Sequence, residues 1–254
     1  MTALLQLQDV SRRFGGVAAL SNVSLSLSAG IVIGLIGPNG SGKTTLMNII
    51  SGVDAPTDGA VLLEGAPVHG LPANVLARRG ISRTFQHIRL IPELTAIQNV
   101  MLALHTPESR AVDILLRLPG LKRTEGRRRA RATELLRQVG AGRLVETPAG
   151  DLSYGDRRRV EIARALASEP RLLLLDEPAA GMTHSERAAL RDLIAGLPAA
   201  GVTVLLVEHD MDLMMGICHE IHVLNQGRPI ASGTPDRIRN DPKVIEAYLG
   251  TEDA

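Results

Sequence analysis

The chain has 254 residues, of which 44% are hydrophobic and 22% are charged, a composition typical of a globular protein that buries a sizeable core. Its formal net charge of +1 argues against nucleic acid as the main partner, and a single cysteine, Cys218, excludes a disulfide framework and favours a reducing compartment. No apolar stretch approaches the roughly 18 to 20 residues that a membrane-spanning helix needs, and we expect no signal peptide at the N-terminus.

The first elements are predicted to be strands. Alternating apolar and polar residues predict a strand over residues 4–10, with a turn after it, and a second strand over residues 23–27. Ile31 to Ile36 is a short, mostly β-branched apolar run, which is typical of a strand buried on both faces. Before the second strand lies Phe14, an aromatic that can stack on a purine base if it is exposed; taken alone, it is more typical of a packed core.

A glycine-rich loop follows the apolar run and carries the complete pattern G-x-x-x-x-G-K-[ST]. It consists of Gly37, Pro38, Asn39, Gly40, Ser41, Gly42, Lys43, Thr44 and Thr45. After the loop, apolar residues at positions 46, 49, 50 and 53 have the spacing of one helix face, and Gly52 is placed to end that helix. The loop is therefore predicted to join a strand to a helix N-terminus.

This context predicts a site for a nucleoside triphosphate. Glycines let backbone N–H groups turn inward, and these groups bind phosphate together with the helix dipole. We expect Lys43 to reach the β- and γ-phosphates and the Thr44 hydroxyl to ligate Mg²⁺. The alternative, a glycine-rich turn with no ligand, is disfavoured by the strand and the helix on either side of the loop.

The middle of the chain is predicted to be mainly helical. It begins with a predicted strand at residues 60–64, a helix at residues 72–79 and a second strand at residues 81–86. From residue 88 to residue 143, short helical segments alternate with proline and glycine, at residues 96–104, 112–118 and 133–139. The run Arg127-Arg128-Arg129 with Arg131 is typical of a solvated helix face, and a patch that binds nucleic acid or lipid phosphate is the alternative.

A turn-rich segment at residues 151–156 opens a further helix. Apolar residues keep helical spacing after it, and either Ser153 or Asp156 can cap the helix. The N-terminus of this helix is a second potential phosphate site, with a bare N-cap as the alternative.

Two carboxylates follow a run of four leucines at residues 172–175, which predicts a buried strand of a parallel sheet. Asp176 and Glu177 lie at the carboxyl end of this strand, where ligands bind in open α/β sheets. Consecutive strand residues point to opposite faces, so the two carboxylates have different roles unless the strand ends between them. One is expected to hold Mg²⁺ through water and the other to face the γ-phosphate and a water molecule; two solvated carboxylates are the alternative.

The next predicted strand is also followed by a polar side chain at its carboxyl end. Residues 202–207 predict another buried strand, and His209 follows at its carboxyl end, where contact with phosphate is favoured over a purely structural role. Strands at residues 220–224 and 229–231 and a helix at residues 242–249 complete the chain.

Taken together, these motifs resemble the nucleotide-binding subunits of ATP-binding-cassette (ABC) transporters over nearly the whole chain. Residues 37–45 resemble the Walker A motif, residues 172–177 the Walker B motif with its catalytic glutamate, and residues 152–156 the LSGGQ signature. Gln86 resembles the glutamine of the Q-loop, and His209 resembles the switch histidine.

Within this family the chain is most similar to the branched-chain amino-acid uptake ATPases of bacteria and archaea. The similarity lies in residues 83–90, 176–182 and 233–250. In the signature, Tyr154 replaces the first glycine and Asp156 replaces the glutamine. Residues 180–183 lack the aspartate that usually crosses the dimer interface after Walker B, which bears on how the two sites of a dimer communicate.

The resemblance implies an α/β fold: a P-loop NTPase core with a mainly parallel sheet, an antiparallel β subdomain and a helical insertion that carries the signature. Residues 1–254 are expected to form a single ABC ATPase domain. Residues 1–86 and 164–254 would form the nucleotide-binding core with the β subdomain, and residues from about 87 to 163 the helical subdomain.

The resemblance also implies the site. ATP with Mg²⁺ would lie between Walker A of one subunit and the signature of a second subunit, packed head to tail. Phe14 would stack on adenine, residues 37–45 would hold the phosphates, and the segment Ser153-Tyr154-Gly155 would hold the γ-phosphate of the nucleotide on the other subunit. The expected metal ligands are Thr44, Gln86 and Asp176. The expected catalytic residues are Glu177, His209 and Gln86, of which Glu177 would polarise the attacking water and Gln86 would also link the site to the membrane subunits.

The function implied is ATP hydrolysis that drives solute uptake, and the similarity to the uptake ATPases implies that the solute is a branched-chain amino acid. The implied partners are a second ABC ATPase subunit (a copy or a paralogue), transmembrane permease subunits and, indirectly, a secreted solute-binding protein, with no nucleic acid. The implied location is peripheral, at the cytoplasmic face of the inner (plasma) membrane. A soluble ABC ATPase scaffold of the iron–sulfur assembly type, not coupled to a permease, is the alternative.

Overall fold

Two β-sheets form the framework of the computed structural model, which describes residues 3–84, 88–104 and 120–249. One sheet has four strands in the order β2-β1-β4-β5, and the other has six in the order β10-β9-β3-β8-β7-β6. Within the described residues the strands are β1 Ala3–Phe14, β2 Val17–Ser28, β3 Val32–Ile36, β4 Asp58–Leu63, β5 Ala66–Pro67, β6 Ile81–Arg83, β7 Leu172–Asp176, β8 Thr203–Val207, β9 Glu220–Asn225 and β10 Arg228–Gly233.

The four-stranded sheet is antiparallel, and its first strand is longer than predicted. The predicted turn after residue 10 is wrong, because β1 continues to Phe14 and the chain turns at residues 15 and 16. The cause is a β-bulge: Leu7 pairs with Leu25 but Val10 pairs with Val23, and Asp9 between them has a φ of 49°. The one inserted residue moves the later apolar side chains out of the alternating pattern, although β1 stays paired with β2.

The six-stranded sheet is parallel except for the edge strand β10, which runs antiparallel to β9. The predicted strands at residues 31–36, 172–175 and 202–207 are confirmed as β3, β7 and β8, and every residue in these three strands is buried. Asp176 pairs with Val207, and Leu35 also pairs with Val207. The carboxyl ends of the three strands therefore lie side by side at one edge of the sheet.

Helices cover both faces of this sheet. Within the described residues they are α1 Lys43–Ile50, α2 Ala73–Arg78, α3 Ala96–Ala103, α4 Gly120–Gln138, α5 Tyr154–Leu166, α6 His184–Gly196, α7 Met211–Ile217, α8 Pro235–Arg239 and α9 Pro242–Leu249, with short 3₁₀ turns at Gly142–Leu144, Ala149–Asp151 and Pro198–Ala200. None of the described helices is long and apolar enough to cross a membrane.

Most predicted helices are present, with corrections at their ends. The helix predicted at residues 133–139 is the C-terminal part of the longer α4, and the one predicted at residues 112–118 lies outside the described residues. The helix after the glycine-rich loop ends at Ile50, and Gly52, with a φ of 70°, turns the chain so that Val53 is exposed.

The core is divided by the six-stranded sheet into two apolar clusters. Along β7, Leu172 and Leu174 pack with α1 and the antiparallel sheet, whereas Leu173 and Leu175 pack with α3, α4, α5, α6 and α7. This alternation follows from the two-residue period of a strand. A sheet buried on both faces has its functional groups at the strand ends, where the chain leaves the core.

Cys218 provides a chemical test of this packing. Its side chain is buried after α7, and burial raises the pKa of the thiol to about 12. Because the thiolate is the nucleophile, the native protein at pH 8 should contain roughly 10³-fold less reactive sulfur than a free cysteine of pKa about 8.5. Alkylation by iodoacetamide, followed by mass spectrometry, should therefore be very slow in the native protein and ordinary in denaturant. Rapid labelling of the native protein would contradict the buried position.

Candidate functional site

The glycine-rich loop and the ends of β7 and β8 enclose one cavity. Its volume is about 200 Å³, and it is lined by Ala19, Asn39, Gly40, Ser41, Gly42, Lys43, Thr44, Thr45, Glu177 and His209. Larger cavities occur elsewhere among the described residues. One of about 480 Å³ is mostly apolar and lies against α9, and one of about 470 Å³ lies around Gly80 and Arg171, near the amino ends of the strands. The 200 Å³ cavity is the one that combines a phosphate-binding loop with polar side chains.

The loop has the backbone conformation that its glycines predict. Gly40 and Gly42 have φ values of 75° and 101° in the left-handed region. At Gly42 a Cβ atom would also approach the Ala19 carbonyl oxygen to 2.8 Å, so no larger residue fits there. No side chain caps the N-terminus of α1, which begins at Lys43. The N–H groups of its first turn and the positive end of the helix dipole therefore face the loop as an anion site.

Lys43 lies along this loop. Its ammonium group donates hydrogen bonds to the carbonyl oxygens of Gly37 at 2.7 Å and Pro38 at 2.9 Å, and contacts the Ser41 hydroxyl at 3.4 Å. Burial lowers the pKa of Lys43, and the nearby carboxylates of Glu177 and Asp176 oppose that effect. A triphosphate in the cavity would favour the charged ammonium in the same way, since it adds negative charge beside it.

The strand that precedes the two carboxylates ends between them. β7 ends at Asp176, and Glu177 has a φ of 45°, a left-handed conformation that is uncommon outside glycine. The two side chains have different partners: Asp176 Oδ2 lies 2.8 Å from a guanidinium nitrogen of Arg83, and Glu177 Oε1 lies 2.9 Å from His209 Nε2. The structure thus keeps the two carboxylates in separate environments, and it joins Glu177 to His209.

Arg83 is a site residue that sequence reasoning did not single out. One of its terminal nitrogens contacts the Asn48 side chain at 2.7 Å and the Ser51 hydroxyl at 3.0 Å, while the other contacts Asp176. The Arg83 and Asp176 side chains are only 6% and 9% exposed. The signal in the sequence was a charged residue in a strand beside the apolar β7, but its partner is 93 positions away.

Glu208 is a second residue that was missed. It is buried between β8 and His209, and its two carboxylate oxygens accept hydrogen bonds from the backbone N–H groups of Ala179 at 2.6 Å and His209 at 3.1 Å. Burial raises the pKa of Glu208, and these hydrogen bonds act against that rise. Its position beside His209 was the available signal.

The signature segment lies outside this cavity. Ser153, rather than Asp156, is the N-cap of α5: its hydroxyl accepts from the Asp156 N–H at 3.1 Å and donates to the Asp156 carboxylate at 2.9 Å. Tyr154 is exposed. At Gly155 a Cβ atom would lie 2.4 Å from the Glu186 carboxylate, so a larger residue here would require the Glu186 side chain to move.

The remaining predicted residues differ in outcome. Phe14 is 48% exposed with the Arg12 guanidinium 4.6 Å from its ring centre, so the packed-core alternative is wrong and its stacking on adenine stays a prediction. Gln86 lies outside the described residues. Among the residues of the chain that the structure describes, no cluster of three or more His, Cys, Asp or Glu side chains could hold a metal ion. The oxygen donors Thr44 and Asp176 suit Mg²⁺, which binds nucleotide sites through one or two protein oxygens, phosphates and water.

Comparison with known proteins places this geometry in context. The family model described as "ABC transporter" matches residues 20–180, and the model described as "Branched-chain amino acid ATP-binding cassette transporter" matches residues 228–254. The high-affinity branched-chain amino acid transport ATP-binding protein LivG of Escherichia coli (strain K12) is 45% identical over 249 residues, covering 97% of this chain and 98% of that protein. The corresponding protein BraF of Pseudomonas aeruginosa is 43% identical over the same length and coverage.

Solved structures agree with the fold. The ADP conformation of MJ1267, an ATP-binding cassette of an ABC transporter, has a TM-score of 0.85 at 30% identity and covers 98% of this chain and 100% of that chain. The dimeric post-hydrolysis state of the ATP-binding cassette MJ0796, bound to ADP and Pi, has a TM-score of 0.74 at 30% identity and covers 91% of this chain and 98% of that one. Both matches cover at least 91% of this chain, and the two structures represent an ADP conformation and a state bound to ADP and Pi.

The buried pair of Arg83 and Asp176 gives a prediction on stability. Replacing Arg83 with methionine should lower the free energy of unfolding by about 3–5 kcal/mol, because it leaves the Asp176 carboxylate buried without its cation. Urea denaturation followed by circular dichroism measures the change. Arg79→Met is the control, since Arg79 is exposed and its loss should cost less than about 0.5 kcal/mol. Equal stabilities of the Arg83 and Arg79 variants would show that the ion pair contributes nothing.

Proposed function

The chain belongs to the ABC transporter family, and we propose that it is the ATP-hydrolysing subunit of an importer of branched-chain amino acids. The observation that carries this proposal is the cavity in which a phosphate-binding loop, Glu177 and His209 meet. Phosphoryl transfer needs positioned groups and charge stabilisation more than covalent chemistry, and this cavity supplies both.

Each group has a role that its surroundings support. Lys43 and the N–H groups at the start of α1 would hold the β- and γ-phosphates and stabilise charge that develops on them. Glu177 would polarise the attacking water, and His209, 2.9 Å from it, would orient that water and contact the γ-phosphate. Thr44 and Asp176 would hold Mg²⁺, which neutralises phosphate charge when it is bound.

The site is proposed to be completed by a second subunit. The signature segment at Ser153-Tyr154-Gly155 is on the surface of α5 and does not line the cavity of its own chain. A head-to-tail pair would bring it to the γ-phosphate of the other subunit, with the N-terminus of α5 as the anion-binding element. The MJ0796 cassette is a dimer bound to ADP and Pi, which supports the pairing of two cassettes.

The membrane partners are proposed from the relatives. LivG and BraF are described as transport ATP-binding proteins for branched-chain amino acids, which supports permease subunits, a secreted solute-binding protein and a peripheral position at the cytoplasmic face of the inner membrane. Gln86 would connect the site to the permease, and residues from about 87 to 163 would form the helical subdomain. No observation favours the alternative of a soluble scaffold of the iron–sulfur assembly type.

Glu177→Gln tests the site directly. The substitution keeps the size of the side chain but removes the charge that polarises water, so ATP turnover should fall by at least about 10²-fold while ATP binding persists. On size exclusion the variant should elute as a dimer with ATP and as a monomer with ADP. If the subunit pairs only with a paralogue, the dimer should form only when that paralogue is added. Adding Ser153→Arg should abolish the dimer. Wild-type turnover of Glu177→Gln would place the catalytic carboxylate elsewhere.

Reconstitution tests the solute. In proteoliposomes with its cognate permease and binding protein, ATP turnover should rise when leucine, isoleucine or valine is supplied, because hydrolysis that is coupled to uptake depends on the solute that is transported. Urea and short amides serve as control solutes and should leave turnover at its basal level. Stimulation by these controls but not by leucine would reassign the solute and leave the ATPase itself unaffected.

A further inference from the structure

Glu208 connects the two segments on which the catalytic pair stands, although its own side chain faces backbone rather than the cavity. We propose that Glu208 is a positioning residue for ATP hydrolysis, whose carboxylate fixes the loop that carries Glu177 and the loop that carries His209 relative to each other. This inference rests on the proposed function of the Glu177–His209 pair.

The connection is made by both carboxylate oxygens. Oε1 accepts the Ala179 N–H at 2.6 Å, two residues after Glu177, and Oε2 accepts the N–H of His209 itself at 3.1 Å. Hydrogen bonds in which the acceptor is charged are shorter and stronger than those between neutral groups. One side chain therefore binds the backbone of both segments, the one that follows Glu177 and the one that carries His209.

The hydrogen bonds to Glu208 lie just beyond the last paired residues of β7 and β8. The last ladder pair of β7 and β8 is Asp176 with Val207, and the Glu177 N–H still donates to the Val207 carbonyl oxygen at 2.9 Å. After that point the left-handed Glu177 turns its chain out of the sheet. A backbone conformation of this kind persists when surrounding contacts hold it, and the bond from Ala179 to Glu208 follows directly after it.

The burial of Glu208 argues for a specific purpose. Only 6% of the residue is exposed, and among the described residues no lysine, arginine or histidine forms an ion pair with it. Burial of a carboxylate without a cation is costly, and the backbone N–H groups of Ala179, His209 and Asp210 supply the hydrogen bonds that compensate that cost. The carboxylate supplies two acceptors at a fixed separation, which a hydroxyl or an amide does not.

Glu208→Gln is the informative variant, because it keeps the shape but replaces one acceptor by an NH₂ group that faces an N–H donor. A displacement of about 1 Å in a catalytic group can cost up to about 10²-fold in rate, so kcat should fall at least tenfold. The KM for ATP should change less than about twofold, since the phosphate loop is untouched. Glu208→Asp, one methylene shorter, should also lower kcat and serves as the test if the glutamine variant does not fold.

Thr203→Val is the matched control. Thr203 is buried at the other end of β8, and its hydroxyl accepts the Gly30 N–H at 2.9 Å. Its replacement removes one buried hydrogen bond from the same strand without touching either loop, so stability should fall and kcat should not. If Thr203→Val lowers kcat as much as Glu208→Gln, Glu208 contributes only to stability and the proposal is overturned.

The double variant Glu177→Gln/Glu208→Gln decides whether Glu208 acts through the catalytic pair. If it does, adding Glu208→Gln to Glu177→Gln should lower the residual single-turnover rate by less than about twofold, because residues that act as a unit are non-additive. Full additivity, or wild-type kcat in a folded Glu208→Gln protein, would overturn the proposal. If the Glu177→Gln protein is active, the proposed function is refuted. If Glu177→Gln is inactive but Glu208→Gln is fully active, only the role of Glu208 is refuted.

Discussion

The site depends on the parallel packing of β3, β7 and β8. All residues of these strands are buried, so the sheet itself offers no polar surface, and the chain can present functional groups only where a strand ends. Because the strands are parallel, their three carboxyl ends lie at one edge of the sheet. The phosphate loop follows β3, Asp176 and Glu177 lie at the end of β7, and Glu208 and His209 follow β8. Apolar burial thus brings together residues as far apart in the chain as Gly37 and His209.

Buried charge at this edge is held in three different ways. The Asp176 carboxylate faces the Arg83 guanidinium, the Lys43 ammonium lies among carbonyl and hydroxyl oxygens, and the Glu208 carboxylate accepts backbone N–H groups. Removing an ion from water costs several kcal/mol, so each arrangement must compensate that cost with well-placed partners. Lys43 and Glu208 both have neutral partners, but of the two Lys43 lines the cavity, where a phosphate would replace those partners with anionic oxygens. The site is therefore complementary to negative charge before nucleotide binds.

Features encoded locally were predictable from the sequence, and features that depend on distant partners were not. The apolar runs predicted β3, β7 and β8, and the glycine pattern predicted the loop before α1. In α6, the buried apolar stripe consists of Leu190 and Ile194 alone, which is too weak a periodicity to predict a helix. The roles of Arg83 and Glu208 need partners 93 and 29 positions away, and the bulge at Asp9 needs the pairing strand. No local pattern contains that information.

The segment that follows Glu177 connects the catalytic loop to the signature segment of the same chain. At its start, Ala179 is bound by Glu208; at its end, Thr183 caps α6 and Glu186 packs against Gly155 of the signature segment. In the proposed dimer, Glu177 and the signature segment of one chain serve different nucleotides, so this stretch connects the two sites. Residues 180–183 lack the interface aspartate typical of the family, but a glutamate holds each end of the segment. Within each chain, hydrogen bonds and the segment from Ala179 to Glu186 therefore join His209 and Glu208 to Gly155 of the signature.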